Sequence, residues 1–160
     1  MINNNPSKTS ERTELLRNAI EHRAAWFALV VDEAAKNGLD KTFAGKAIFR
    51  CGQYHGDAKY PRTDDLVEFA DAFANEDVVG VFEMEILEKS DKALNIDFHY
   101  CPLVASWLKL GFSEEDLPAL CEMAMDGDRG IIDRYDSFEF ELGDTIAKGD
   151  DVCQIRIKKV

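Results

Sequence analysis

The sequence predicts an α+β domain, an antiparallel sheet of about four strands with helices packed on one face. Apolar residues recur at helical spacing through the first half of the chain, and the period then shortens to two at Phe82, Met84 and Ile86. A second helical region is followed by two more alternating stretches. Helices, two strands, helices, two strands is the order of an α+β fold. With 160 residues, 46% of them hydrophobic, the chain suffices for one domain with a substantial core. The expected division is a disordered tail over 1–9 and a single domain over 10–160. That domain has a helical part at 10–75 and a part carrying the sheet and the motifs at 76–160.

Taken in order, Met1 to Thr9 hold too little apolar content to pack. From Ser10 to Lys36, Leu16, Ile20, Arg23, Phe27, Val30 and Ala34 recur at helical spacing, widened by Leu15, Ala19, Trp26 and Val31, and Asn37-Gly38 ends the helix. A second helix spans Leu39 to about Tyr54, with Phe43, Ala47, Ile48, Cys51 and Tyr54 on its buried side and His55 at its end. Thr63 is placed to cap a third, with Asp64 and Asp65 in its first turn and Leu66, Phe69, Ala70 and Phe73 inward. Residues from about 79 to 88 read as a strand, Lys89 to Lys92 as a turn, and Leu94 to Tyr100 as its hairpin partner. The polar face of that hairpin carries Glu83, Glu85, Asp97 and His99.

A short helix after Cys101 uses Leu103, Val104, Trp107 and Leu110; the next starts at Pro118 and buries Leu120 and Cys121. Asp126 to Gly130 reads as a helix-ending turn, since Ser137 stands where a calcium loop needs its last carboxylate. Phe138 and Phe140 mark a third strand. Cys153, Ile155 and Ile157 mark a fourth, with Cys153 on its apolar face.

Composition narrows the function. A net charge of −12 argues against nucleic acid, whose phosphates need clustered Lys and Arg. No stretch reaches the roughly 20 apolar residues of a membrane span, and no signal-like core opens the chain, so a cytoplasmic protein is expected. The four cysteines form no C-x-x-C pair and are expected as thiols.

The most informative stretch is Phe98-His99-Tyr100-Cys101-Pro102-Leu103. Pro102 suits the first position of a helix, which makes Cys101 its cap residue. A thiol there faces unpaired N–H groups and the positive end of the dipole, which favour a thiolate that can act as nucleophile or ligand. The competing reading is a free cysteine buried as a small hydrophobe. His99 lies two residues earlier, so on a continuing strand the two side chains would share a face with Cα atoms about 6.5–7 Å apart.

This stretch, with Trp107, Leu110-Gly111, Leu120-Cys121, the Asp126 to Gly130 segment and Gly149-Asp150-Asp151-x-Cys153, resembles the L-2-amino-thiazoline-4-carboxylic acid hydrolase family. The resemblance implies hydrolytic opening of a cyclic isothiourea to N-carbamoyl-L-cysteine, a step toward cysteine; no cofactor and no metal ligand set is assigned. It implies Cys101, His99 and Asp150 as catalytic residues, and Arg129, Asp128, Asp97 and Cys153 as substrate-binding ones. Cys101 would attack the ring carbon, or His99 or Asp150 would activate water. The expected partner is a small-molecule substrate, with a homodimer compatible and neither nucleic acid nor membrane. The alternative is a binding or sensor module without turnover, in which His99, Cys101, Cys121 and Cys153 supply soft metal ligands. A third reading is an acidic sheet face, with Glu139 and Glu141 added, that binds a partner.

Overall fold

Ser10 sets where the first helix begins. Its Oγ accepts from the Thr13 N–H at 3.1 Å, and α1 runs Glu11–Lys36 with Glu11 and Glu14 in the first turn and Lys36 in the last. The computed structural model describes residues 1–40 and 42–160. Next come α2 (Thr42–Lys59), α3 (Leu66–Phe73) and α4 (Glu76–Phe82), then β1 (Met84–Lys89) and β2 (Ala93–Phe98). The chain closes with α5 (Pro102–Lys109), α6 (Leu117–Ala124), α7 (Asp126–Ile132), β3 (Phe138–Leu142), a 3-10 turn at Ile146–Lys148, and β4 (Cys153–Lys159). All strand pairs are antiparallel in the order β1-β2-β4-β3, so the last strand lies between β2 and β3 and joins the two hairpin-like halves. The α+β class is the one the periodicity predicts.

Several local expectations change. Residues 76–82 form α4 rather than the start of a strand, because Asn75 accepts from the Val78 N–H and Glu76 and Asp77 occupy its first turn. Asp65, not Thr63, caps α3, accepting from Val67 and Glu68 while Thr63 Oγ1 accepts from the Asp65 N–H. Asp126 to Gly130 is helical, not a turn. Its glycines serve packing: a methyl on Gly52 of α2 would collide with the Gly127 carbonyl, and one on Gly130 with the Phe49 carbonyl. Helices α2 and α7 thus meet backbone to backbone.

That contact turns α2 about its axis. Gly45, Gly52 and Gly56 face inward, and Phe43, Cys51 and Tyr54, expected in the core, face solvent. The core has two parts. Ala24, Ala28, Val104, Trp107 and Leu117 pack between α1 and the α5–α6 pair, with the Trp107 indole donating to the Ala24 carbonyl at 3.1 Å. Leu66, Phe69, Leu94, Ile96, Ile155 and Ile157 fill the space between the sheet and helices α3 and α7.

Glu83, expected on the polar sheet face, is instead turned inward. It sits at φ 50°, ψ 53°, a left-handed conformation ending α4, and its side chain is 6% exposed. Its carboxylate accepts from the Ser7 N–H and hydroxyl, the Lys8 N–H and Arg17 Nη2. Arg17, equally buried, also donates to the carbonyls of Lys8, Gly80 and Val81 and lies over the Tyr100 ring at 4.4 Å. Burial pushes the Glu83 pKa up, but the hydrogen bonds from Ser7, Lys8 and Arg17 outweigh it, so the group lies below the usual carboxylate range.

Because the folded pKa is lowered, the stability Glu83 contributes is present above its unfolded pKa of about 4.3 and is lost as pH falls through the folded value. Arg17→Met should cost about 3–5 kcal/mol in urea unfolding at pH 7, since it strands a buried carboxylate. The gap from the parent should narrow as pH falls below about 4.3, where Glu83 of the parent begins to protonate and the stability it contributes is lost. A loss under about 1 kcal/mol at pH 7 would mean the pair behaves as a surface ion pair.

Candidate functional site

Strand β2 ends at Phe98, and the chain then bends away. The His99 N–H donates to the Glu83 carbonyl and the Tyr100 N–H to that of Phe82, which fixes the bend against the end of α4. Beyond it the period of two no longer applies. His99 points outward, its Nε2 2.9 Å from Glu85 Oε2. Cys101 points inward at 9% exposure. The two side chains therefore do not converge.

Cys101 is the cap residue of α5, in extended conformation ahead of Pro102. Its thiol is pushed up by burial, against which the backbone N–H groups of Val104 and Leu103 act in the opposite direction. It lies in one core cluster with Cys121 and Cys153. Burial raises Cys121 to about 12 and pushes Cys153 up as well, and the proximity of Cys101 adds to both shifts. The Cys153 sulfur accepts from the Ile146 N–H at 3.3 Å. Buried Thr145 donates its N–H to Asp150 Oδ2 at 3.1 Å, while its hydroxyl oxygen is buried with no hydrogen-bond partner among the described residues. So Cys101, Cys121, Cys153 and the loop fixed by Asp150 come together from α5, α6, β4 and the turn before it.

The segment before α1 completes this site. Asn4 clamps the Cys101 backbone from both sides: its Oδ1 accepts from the Cys101 N–H at 2.8 Å, and its Nδ2 donates to the Cys101 carbonyl at 2.9 Å. Ile2 packs against the cluster that holds the three thiols. Ser7 and Lys8 are held by Glu83 and Arg17. Residues 1–9 contain no helix or strand, yet Ile2, Asn4, Ser7 and Lys8 hydrogen-bond to Glu114, Cys101 and Glu83 through backbone N–H and amide groups.

The remaining predicted residues lie elsewhere. Arg129 is bound by Asp126 Oδ1 at 2.9 Å and Glu122 Oε1 at 2.5 Å, so its guanidinium is already neutralised. Asp97 pairs with Arg156 at 2.7 Å across β2 and β4. Asp128 is half-buried on α7, where burial raises it to about 6 against the opposing pull of Arg23 and Arg129. Glu141 pairs with Lys158, so the acidic sheet face is partly neutralised. A cleft of 560 Å³ opens between α1 and the α5–α6 region, with Leu29, Leu110, Phe112 and Met123 among its lining and Asp32 and Glu115 at its rim. No predicted site residue lines it. Among the described residues no group of three His, Cys, Asp or Glu is arranged to hold a metal ion, and His99 stands apart from the thiols.

The residues that the sequence reading missed are Asn4, Arg17, Glu83 and Thr145. The run Asn3-Asn4-Asn5 suggests loose chain, and only the fold reveals that an amide there can satisfy both backbone groups of Cys101. Alkylation should separate the thiols. Exposed Cys51 should react first, and Asn4→Ala should speed Cys101 at least tenfold while leaving Cys121 and Cys153 slow, read by peptide mass spectrometry. Equal Cys101 rates in parent and variant would show that the segment does not control access.

The comparisons fit this architecture. The family model described as L-2-amino-thiazoline-4-carboxylic acid hydrolase matches residues 17–157. No curated protein matches. Among solved structures, a trafficking protein particle complex subunit 3 from Naegleria fowleri, described as covalently bound to palmitic acid, superposes with a TM-score of 0.60. It is 16% identical, and the match covers 88% of this chain and 94% of that one, a likeness of fold. Helix α1 from Arg17 onward, the thiol cluster and nearly all of the sheet lie within the family match, and the chain belongs to the L-2-amino-thiazoline-4-carboxylic acid hydrolase family.

Proposed function

We propose that this chain hydrolyses a small cyclic isothiourea or amidine such as L-2-amino-thiazoline-4-carboxylate, with Cys101 as the reacting residue. The observation that carries the reading is the position of Cys101, at the N-terminus of α5 and beside Cys153 and the Asp150 loop, where three separate motifs of the sequence meet. The family match supports the reaction class.

In the covalent route Cys101 Sγ attacks the ring carbon between sulfur and the two nitrogens. The ring C–S bond breaks, and the departing sulfur takes a proton and becomes a free thiol. Water then adds to the carbon held on Cys101, the Cys101 thiol is released, and the product is N-carbamoyl-L-cysteine. The resting thiol is held neutral by burial, so the substrate must supply what makes the thiolate. A protonated amidine beside Cys101 does so by charge pairing. The first turn of α5 faces the substrate carboxylate in this scheme, since Arg129 is already paired. In the direct route His99, oriented by Glu85, takes the proton from water, which requires the β2–α5 bend to rearrange.

A second reading is a small-molecule-binding module without turnover. Buried thiols with raised pKa values favour it, and so does a neighbour of this fold described as holding a covalently bound fatty acid.

The test is release of free thiol from L-2-amino-thiazoline-4-carboxylate. The parent chain should turn it over, and Cys101→Ser should lose at least 100-fold in kcat with an unchanged circular dichroism spectrum. Full activity in Cys101→Ser would eliminate the covalent route, and no turnover by the parent would leave the binding reading.

A further inference from the structure

We propose that the outer faces of α1 and α2 form the contact between two copies of this chain. On α1, Leu15, Ala19, Trp26, Leu29 and Val30 recur on the face opposite the buried Ala24, Ala28 and Val31. On α2, Phe43, Ala47, Cys51 and Tyr54 repeat at three- and four-residue steps opposite Gly45, Gly52 and Gly56. Ala44 of α2 packs in the same core cluster as Ala24 and Ala28 of α1, so both helices bury their small residues on that cluster and turn their apolar stripes outward. Trp26 is 69% exposed and Tyr54 68%. Side chains of this size and exposure present on the order of 800 Å² of surface, about what each partner buries in a stable interface.

Charge selects the occupant. The whole chain carries 19 Lys and Arg against 31 Asp and Glu, so two copies repel over most of their surface. Apart from buried Arg17, helices α1 and α2 carry six Lys and Arg against six Asp and Glu, and so form a neutral surface on a strongly acidic molecule. Both signs lie near the patch, with Glu33 on α1 and Lys46 and Arg50 on α2. A twofold contact requires one patch to complement itself, and an apolar centre bordered by both charges does so. The inference is independent of the hydrolase reading.

Sedimentation velocity on the full chain tests it. The parent should run as a dimer, twice 18.0 kDa, at micromolar concentration. Trp26→Glu and Tyr54→Glu, each at an exposed position, should weaken dimerisation at least 100-fold with unchanged circular dichroism. Leu87→Lys, on the exposed edge strand β1, should leave the dimer intact. A parent that is monomeric at 100 μM, dimers that survive both helix substitutions, or loss of the dimer in Leu87→Lys alone would each overturn the proposal.

Discussion

The buried pair of Arg17 and Glu83 is the interaction on which the surroundings of Cys101 depend. One guanidinium and one carboxylate, each with 6% of the side chain exposed, join four pieces of chain: the N-terminal segment, α1, the end of α4 and the ring of Tyr100. Two charges taken out of water stabilise little on their own. Here hydrogen bonds satisfy most of the remaining sites, since Glu83 accepts from two backbone amides and a hydroxyl while Arg17 donates to three carbonyls. The pair acts mainly as a fixed point. It holds Ser7 and Lys8, which places Asn4 on Cys101, and with the end of α4 it fixes the bend that separates His99 from Cys101.

A second constraint works from the opposite side. Gly52 and Gly130 allow α2 and α7 to approach until backbone meets backbone, which no larger residue permits. The approach draws Asp128 into half-buried surroundings and turns Phe43 and Tyr54 of α2 outward. Core geometry on one side of α2 thus sets the surface chemistry on the other. The same rotation leaves Cys51 exposed while the thiols at 101, 121 and 153 are enclosed. The four cysteines therefore differ in access far more than their spacing in the sequence suggests.

Period carries most of the fold. Alternation in Leu94–Phe98 and in Cys153–Ile157 places these strands, and Pro102 after Cys101 locates the start of α5, because both signals are local. The errors arise where a distant partner decides the outcome. Phe43, Cys51 and Tyr54 form an apolar stripe as good as a core face, and only the glycine contact with α7 turns the helix the other way. Phe82, Met84 and Ile86 alternate, but Asn75 and the acidic first turn of α4 win residues 76–82 for a helix. Within the candidate site, Cys101 and the capping geometry are legible from Cys-Pro alone. Asn4 lies 97 residues from the thiol it clamps, and nothing in local pattern links the two. The motif residues divide likewise: Cys153 and Asp150 join Cys101, while His99, Asp97 and Arg129 are drawn to nearer charges.

In the proposed reaction a cyclic isothiourea reaches Cys101 beneath the N-terminal segment. The most direct measurement is protection of Cys101 from iodoacetamide by L-2-amino-thiazoline-4-carboxylate in the Asn4→Ala chain, with exposed Cys51 as internal standard. Alkylation of Cys101 should slow in proportion to occupancy while that of Cys51 stays constant. Identical Cys101 rates with and without a saturating concentration of the compound would place its binding elsewhere and contradict the assignment.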